Sequence, residues 1–185
     1  MRMALAMLLV PAFAGAQALP ERVKLCESCH GPGGNATLAK TPSIAAQPVT
    51  FLENQLVYFR EDLRNAPVMQ AVAKGLKDEE ITALARHFAG QKAVVVAASG
   101  DAAASARGKA LADKMHCGQC HLPAFQGREQ MPRLAAQRED YLLEAMVGYR
   151  DGKRTGADTT MTEVLYGVGD ADLEALAAYL SQLRD

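Results

Sequence analysis

The sequence has no tryptophan, and only 5% of its 185 residues are aromatic. Such a chain has few bulky side chains with which to fill a hydrophobic core, and small domains of this kind usually need a cross-link or a cofactor. No cysteine is left over for a disulfide between distant parts of the chain, because all four lie in two Cys-x-x-Cys pairs. The composition therefore favours a chain that folds around a bound apolar group.

The sequence also lacks an excess of charge of one sign. Lys and Arg together number 20, Asp and Glu number 21, and the formal net charge at pH 7 is −1. Without a basic excess, we do not expect nucleic acid as a partner. Residues 17–92 carry a formal charge of +1 and residues 93–185 carry −3, an asymmetry that we interpret as ordinary surface charge.

Only the N-terminus has an apolar run of any length. Residues 1–16 contain one basic residue, an apolar stretch and the small-residue ending Ala14-Gly15-Ala16. This pattern predicts a secretory signal peptide, because the run is interrupted by Pro11 and is too short to span a bilayer. An uncleaved membrane anchor is the alternative. We expect a mature chain that begins near Gln17, has no spanning segment and is exported to the periplasm.

The motif Cys-x-x-Cys-His occurs twice, 91 residues apart, as Cys26, Cys29 and His30 and as Cys117, Cys120 and His121. Two thiols on one face of a helical turn can add to the two vinyl groups of a haem, which leaves the next residue beside the iron. We predict two covalently attached haem c groups, held by the four cysteines, with His30 and His121 as axial ligands. A zinc site or a redox dithiol is the alternative, but neither explains why both pairs are followed by histidine.

The sequence downstream of each motif repeats with offsets of 90 to 92 residues, which indicates a duplicated domain. Residues 42–47 match 132–137, residues 51–60 match 141–150, and residues 75–88 match 167–180. Apolar residues in the last segments recur at helical spacing, and no alternating strand pattern of useful length competes. We predict an all-α fold with a signal peptide (1–16), a first domain (17–92), a linker (93–106) and a second domain (107–185).

A second axial ligand is expected for each haem, and a methionine thioether suits ferrous iron. Met69 is the only methionine of the mature first half, and it lies between two predicted helices. Met161 has the matching position in the second half. We predict Met69 and Met161 as the distal ligands, with core packing as the alternative for both and Met131 as the alternative ligand in the second half.

Two further pairs of repeated residues are candidates for supporting the haems. The carbonyls of Pro32 and Pro123, two residues beyond each histidine, could accept the imidazole Nδ1–H and orient the ring. The alternative is a simple turn. Arg60 and Arg150 end matching helices, and either could pair with a haem propionate. A solvated arginine at a helix end is an equally good interpretation.

These motifs resemble those of the dihaem cytochrome c4 family, whose chains contain tandem class I cytochrome c domains. The resemblance rests on the two Cys-x-x-Cys-His motifs, the Pro-x-Leu/Ile-Ala-x-Gln segments at 42–47 and 132–137, and the distal methionines, and it covers nearly all of the mature chain. It implies two all-α domains whose haems face each other across the domain interface. Residues 122–129 depart from the family's loop after the haem histidine.

The resemblance implies a periplasmic carrier of single electrons between respiratory or oxidative dehydrogenases and a terminal oxidase. Its expected partners are therefore redox proteins, and we expect any membrane association to be peripheral and to occur through these partners. Two alternatives remain. The chain could be the electron-accepting subunit of an enzyme complex, such as a sulfide-oxidising flavocytochrome c. It could also be an enzyme with an open or displaceable axial position, against which two well-placed methionines argue.

Overall fold

The structure is a computed structural model that describes residues 19–96, 98–154 and 159–184. Its regular structure is helical, and the one β-type pairing in these ranges joins Arg128 to Met131. The predicted all-α fold class is confirmed. In the same ranges, no helix is both long and apolar enough to cross a membrane. The predicted signal peptide, residues 1–16, lies outside the described residues.

Within residues 19–96, the first half has four α-helices and a short 3-10 helix. The α-helices are α1 (Leu19–His30), α2 (Val49–Arg60), α3 (Pro67–Ala73) and α4 (Asp78–Ala89), and the 3-10 helix is Pro32–Gly34. Helix α4 begins with three acidic residues, which favour the positive end of the helix dipole. Helices α1, α2 and α3 pack against α4 or against each other.

The second half repeats this order with one additional helix. Its helices are α5 (Ala102–Lys114), α6 (Cys117–His121), α7 (Glu139–Arg150), α8 (Thr160–Leu165) and α9 (Asp170–Gln182). Together α5 and α6 take the place of α1, since His116 adopts a left-handed conformation with φ of 57° between them. A non-glycine residue in that conformation ends the preceding helix, so the second haem motif starts a helix of its own.

Each half has its own hydrophobic core. The first core includes Leu52, Phe59, Ile81, Leu84 and Phe88. The second core includes Leu142, Met146, Leu173, Leu176 and Leu180. Both are built mainly from the faces of α2 and α4 or their counterparts α7 and α9, which matches the helical periodicity of the sequence.

The connection between the halves has no regular structure between residue 92 and Ala102, within the described residues. Helix α5 begins at Ala102, so the last residues of the predicted linker, 93–106, form its first turns. Asp101 caps this helix, because its carboxylate accepts the backbone N–H groups of Ala103 and Ala104. The domain boundaries 17–92 and 107–185 each enclose one core and remain our proposal.

Candidate haem sites

The two motif histidines lie in matching environments at the ends of α1 and α6. Both are buried. His30 Nδ1 donates to the carbonyl of Pro42 and His121 Nδ1 to that of Pro132, each at 2.8 Å. Burial lowers the pKa of both imidazoles, and the carbonyl bond partly offsets this effect. Each ring is therefore a neutral tautomer with its proton on Nδ1, which leaves Nε2 as the nitrogen able to bind iron.

The prediction that Pro32 and Pro123 accept these hydrogen bonds is wrong. Their place is taken by Pro42 and Pro132, which lie 12 and 11 residues after the histidines. The residue after each histidine has a positive φ, 75° at Gly31 and 69° at Leu122, and the chain turns away from the ring there. Only when the loop folds back does a carbonyl come to face the imidazole.

The four motif cysteines are free thiols on the same helical turns as the histidines. In each pair the first cysteine, Cys26 or Cys117, is half-buried, and the second, Cys29 or Cys120, is exposed. Burial raises the pKa of the Cys26 and Cys117 thiols. A thiol with a raised pKa is less often the thiolate in the absence of a bound group. In the described part of the chain, no group of three His, Cys, Asp or Glu side chains is arranged to hold a metal ion.

Both predicted distal methionines lie in short helices rather than in the loops that the sequence suggested. Met69 is in α3 and Met161 is in α8, and each packs, half-buried, against the core of its own half. Met146 is buried within the second hydrophobic core. Met131 lies beside Pro132, on the segment that bonds the proximal histidine. That position favours Met161 over Met131 as the distal ligand.

Arg60 and Arg150 connect helices within the protein. Arg60 Nη1 donates to the Leu76 carbonyl at 2.9 Å and to Asp78 at 2.7 Å. Arg150 makes the same two bonds to Val168 and Asp170. Each guanidinium thereby ties the end of one helix to the start of the last helix of its domain. These contacts give both arginines a structural role, and their pairing with a propionate stays a prediction.

A second pair of arginines, Arg64 and Arg154, was missed by the sequence reasoning, although the two residues match at the repeat offset of 90. Arg64 stacks on Phe59 at 4.7 Å and donates to the hydroxyl of Tyr141 in the other domain. Arg154 stacks on Tyr149, and its buried Nε has no hydrogen-bond partner among the described residues. A half-buried guanidinium whose Nε–H is buried without a partner is a good candidate for binding an anion.

The two domains meet through the segments that carry the proximal carbonyls. Gln137 Nε2 donates to the Ser43 carbonyl at 2.8 Å, and Ser43 N–H donates to Gln137 Oε1 at 2.7 Å. Gln47 forms the same pair of bonds with Arg133 at 2.9 and 3.0 Å. Because Ser43 matches Arg133 and Gln47 matches Gln137 in the repeat, the interface is nearly two-fold symmetric. All four residues are buried, which makes this interface part of the protein interior.

These features fit a covalently bound haem in each domain. Each site offers two thiols and a neutral imidazole on one helix end, with the ring held by a backbone carbonyl. A thioether lies on a separate short helix of the same domain. The unpaired Nε of Arg154 could bind a haem propionate. These donors suit a haem c that is attached through two thiols and bound by a histidine, with a methionine of the same domain available as a second ligand.

Comparison with known proteins agrees with this chemistry. A family model described as cytochrome c matches residues 105–184. The chain is 32% identical to cytochrome c-552 of Acidithiobacillus ferridurans, over 85% of this chain and 73% of that one. It is 33% identical to a thiosulfate dehydrogenase electron acceptor of Thiomonas intermedia, over 89% of this chain and 81% of that one.

Among solved structures, cytochrome c4 of Acidithiobacillus ferrooxidans superposes with a TM-score of 0.76 at 31% identity. The match covers 85% of this chain and 98% of that chain. The predicted architecture of two cytochrome c-like domains, the two haem c groups and the predicted role as an electron-transfer protein are all confirmed. The chain belongs to the dihaem cytochrome c4 family, and it is a cytochrome electron carrier.

Proposed function

We propose that this protein is a periplasmic carrier that takes single electrons from a dehydrogenase and delivers them to a terminal oxidase. The observation that carries the proposal is that each of two domains holds its motif histidine on a proline carbonyl and that the two domains share a buried interface. Bound haem supplies an iron that alternates between ferric and ferrous states. The residues around it are suited to hold it in place rather than to bind a substrate.

The proposed ligands are His30 with Met69 in the first domain and His121 with Met161 in the second. The Pro42 and Pro132 carbonyls hold each imidazole in the tautomer that donates Nε2 to iron. The thioethers belong to helices that pack on α2 and α7, so each is backed by a helix of the core. If these four side chains hold the two irons, no ligand position would remain open for a substrate, and each haem would supply one-electron transfer alone.

Variants of the two methionines test this assignment. Met69→Ala and Met161→Ala should each remove half of the sulfur-to-iron charge-transfer band, and each reduced variant should bind carbon monoxide at one haem. The wild type should bind it slowly or not at all. Met131→Ala is the matched control and should leave the band intact. Fast carbon monoxide binding by the wild type would contradict the carrier role and favour an enzyme.

A second candidate is the role of electron acceptor in a dehydrogenase complex. It is supported by the relative whose name is thiosulfate dehydrogenase electron acceptor, which matches most of this chain. A sulfide-oxidising flavocytochrome c is the other complex that we consider. Purification from the native periplasm decides between these roles. A stably associated dehydrogenase would favour the acceptor role, whereas a free dihaem protein that a terminal oxidase oxidises would favour the carrier. Recovery from the cytoplasm would contradict both.

A further inference from the structure

In the first domain, one peptide group contacts both the proximal histidine and the other domain. The carbonyl of Pro42 accepts His30 Nδ1–H at 2.8 Å. The N–H of the same peptide group, which belongs to Ser43, donates to Oε1 of Gln137 at 2.7 Å. A single amide therefore lies between the imidazole of one domain and the glutamine of the other.

The second domain has the same arrangement with the roles of the domains exchanged. The carbonyl of Pro132 accepts His121 Nδ1–H at 2.8 Å. The N–H of that peptide group, on Arg133, donates to Oε1 of Gln47 at 3.0 Å. Each glutamine therefore contacts the peptide group that binds the proximal histidine of the other domain.

We propose that the two interface glutamines set the redox potentials in a crossed manner: Gln137 lowers the potential of the first haem, and Gln47 lowers that of the second. The glutamines are positioning residues, since they act on the histidines through a peptide group. The inference rests on the axial ligation by His30 and His121 that is proposed above.

The direction of the effect follows from the polarisation of the amide. When the peptide N–H donates a hydrogen bond, electron density on the carbonyl oxygen of the same group increases, and the oxygen becomes a better acceptor. A stronger bond from Nδ1–H gives the imidazole more anionic character and makes Nε2 a stronger donor to iron. Stronger donation stabilises the ferric state over the ferrous state, so the potential falls.

Burial and the second bond of each glutamine make this contact specific. The relative exposure of Ser43, Gln47, Arg133 and Gln137 is 5% in each case, so water cannot readily replace Oε1. Each Nε2 also donates to the carbonyl of the same residue whose N–H binds Oε1, at 2.8 Å for Ser43 and 2.9 Å for Arg133. Because a backbone carbonyl only accepts and an N–H only donates, the amide orientation is fixed.

The test uses Gln137→Met and Gln47→Met in the full-length holoprotein, because methionine nearly preserves volume but cannot accept this bond. The two potentials are measured by spectroelectrochemical titration, and the waves are assigned with the Met69→Ala and Met161→Ala variants. Gln137→Met should raise only the potential of the first haem, and Gln47→Met only that of the second. We expect the ferric-to-ferrous ratio at a fixed potential to fall about two- to fourfold, or roughly 20–35 mV.

Two further variants separate this effect from a general loosening of the interface. Gln182→Met makes the same substitution on α9, where the side chain donates to the Ala178 carbonyl of its own helix, and should shift neither wave. Gln137→Glu retains an acceptor oxygen and should not raise the potential of the first haem. If Gln137→Met does not fold, the Nδ1–H resonances of His30 and His121 in the reduced Gln47→Met protein provide the test, and only that of His121 should move.

The outcomes distinguish this inference from the proposed ligation. Equal shifts of both waves, a shift confined to the domain that carries the substitution, or no shift in a protein that keeps its sulfur-to-iron band would overturn the crossed effect. A wild type without that band would instead contradict the axial ligands themselves.

Discussion

The two domains carry the same proximal site on differently built N-terminal helices. In the first domain the haem motif ends one continuous helix, α1, whereas in the second it forms the separate helix α6 after the break at His116. The bond from histidine Nδ1 to the proline carbonyl is nevertheless 2.8 Å in both. The site is therefore set by the repeated proline segment and the last turn of the motif, and it tolerates a change in the helix that leads into it.

In each domain the first and last helices pack against each other, and the two domains differ in the contacts between these helices. In the first domain, α1 contacts α4 through an ion pair between Arg22 and Glu80, at 3.3 Å. In the second domain, α5 crosses α9 so closely that a Cβ on Gly108 would lie 1.9 Å from the carbonyl oxygen of Ala175. Close packing over a long contact contributes more than one partly exposed ion pair. We expect the second domain to be the more stable.

The Gly108→Ala variant should reverse that order. The new methyl group has no space, so α5 and α9 must separate, and we expect the second domain to lose about 3 kcal/mol of unfolding free energy. Denaturant unfolding followed at the haem bands measures the effect, with Met161→Ala identifying the transition of the second domain.

The matched control for that variant is Gly90→Ala at the end of α4. A Cβ there would lie 3.5 Å from the Arg86 carbonyl oxygen, an ordinary contact, and the first domain should lose little stability. An unchanged second transition in Gly108→Ala would show that the two helices do not meet as closely as described.

The second haem should have the lower potential, because the two domains share ligands but not surroundings. Residues 93–185 carry a formal charge of −3 and residues 17–92 carry +1, and negative charge favours ferric iron. The distal segments also differ, with 8 residues between Arg60 and Met69 and 10 between Arg150 and Met161. A gap of about 59 mV, or 1.4 kcal/mol, is the expected scale for one electron.

A redox titration at low and high salt tests this difference. Surface charge is screened over about 8 Å at physiological ionic strength, so the part of the gap due to charge should shrink as salt is added. Two indistinguishable steps would contradict the inequality. A lower first haem would contradict only its direction.

Tyr141 distinguishes the domains further, since Phe51 occupies its place in the first. Burial raises the pKa of the Tyr141 hydroxyl, but the guanidinium groups of Arg154 and Arg64 outweigh burial and lower the pKa to about 8. Arg154→Met should raise this pKa by about one unit, and Arg64→Met should raise it less. The ring carbon that bears the hydroxyl reports the titration by NMR.

The sign of the linked stability follows from the lowered pKa. The attraction between phenolate and guanidinium stabilises the fold fully above the ordinary tyrosine pKa of about 10, and it is lost as the pH falls through about 8. A Tyr141 pKa at or above the ordinary value in the wild type would contradict the proximity of the two arginines.

The smallest expected effect concerns Asp140, which has Thr50 as its counterpart. Hydrogen bonds from Arg138 hold the pKa of the Asp140 carboxyl below its ordinary value, and the backbone N–H of Lys40 adds to them from the other domain. Asp140→Asn should cost roughly 0.5 kcal/mol at neutral pH. Since the pKa is lowered, this stability is present above the ordinary value near 4 and is lost at lower pH.

Unfolding free energies of wild type and variant, measured from pH 7 down to pH 3, should therefore converge in acid. Asp113→Asn is the control, because its exposed pair with Lys109 lies within one helix and spans no interface. A difference that persists unchanged at pH 3 would contradict the ionised pairing of Asp140.

Much of the fold and of the candidate sites could be predicted from local sequence patterns. The positions of Cys26, Cys29 and His30 follow from one helical turn, and α4 and α9 lie within the repeated segments 75–88 and 167–180 or extend them by one turn or less. Patterns of this kind depend on neighbours within one or two turns, which the sequence displays directly. The helical state of Met69 and Met161 was missed, since segments of 7 and 6 residues carry little periodicity.

By itself, the sequence determined the covalent haem chemistry, the duplication and the helical class, because each depends on residue types at short or repeated spacing. Only the tertiary structure decided that Pro42, not Pro32, faces His30, and that Gln137 binds Ser43 at a separation of 94 residues. Contacts over such distances depend on how two cores fold and which buried surfaces fit together. The sequence shows the two glutamines as a repeated residue. Their contact with the peptide group beside the other domain's histidine is seen only in the three-dimensional structure of both domains.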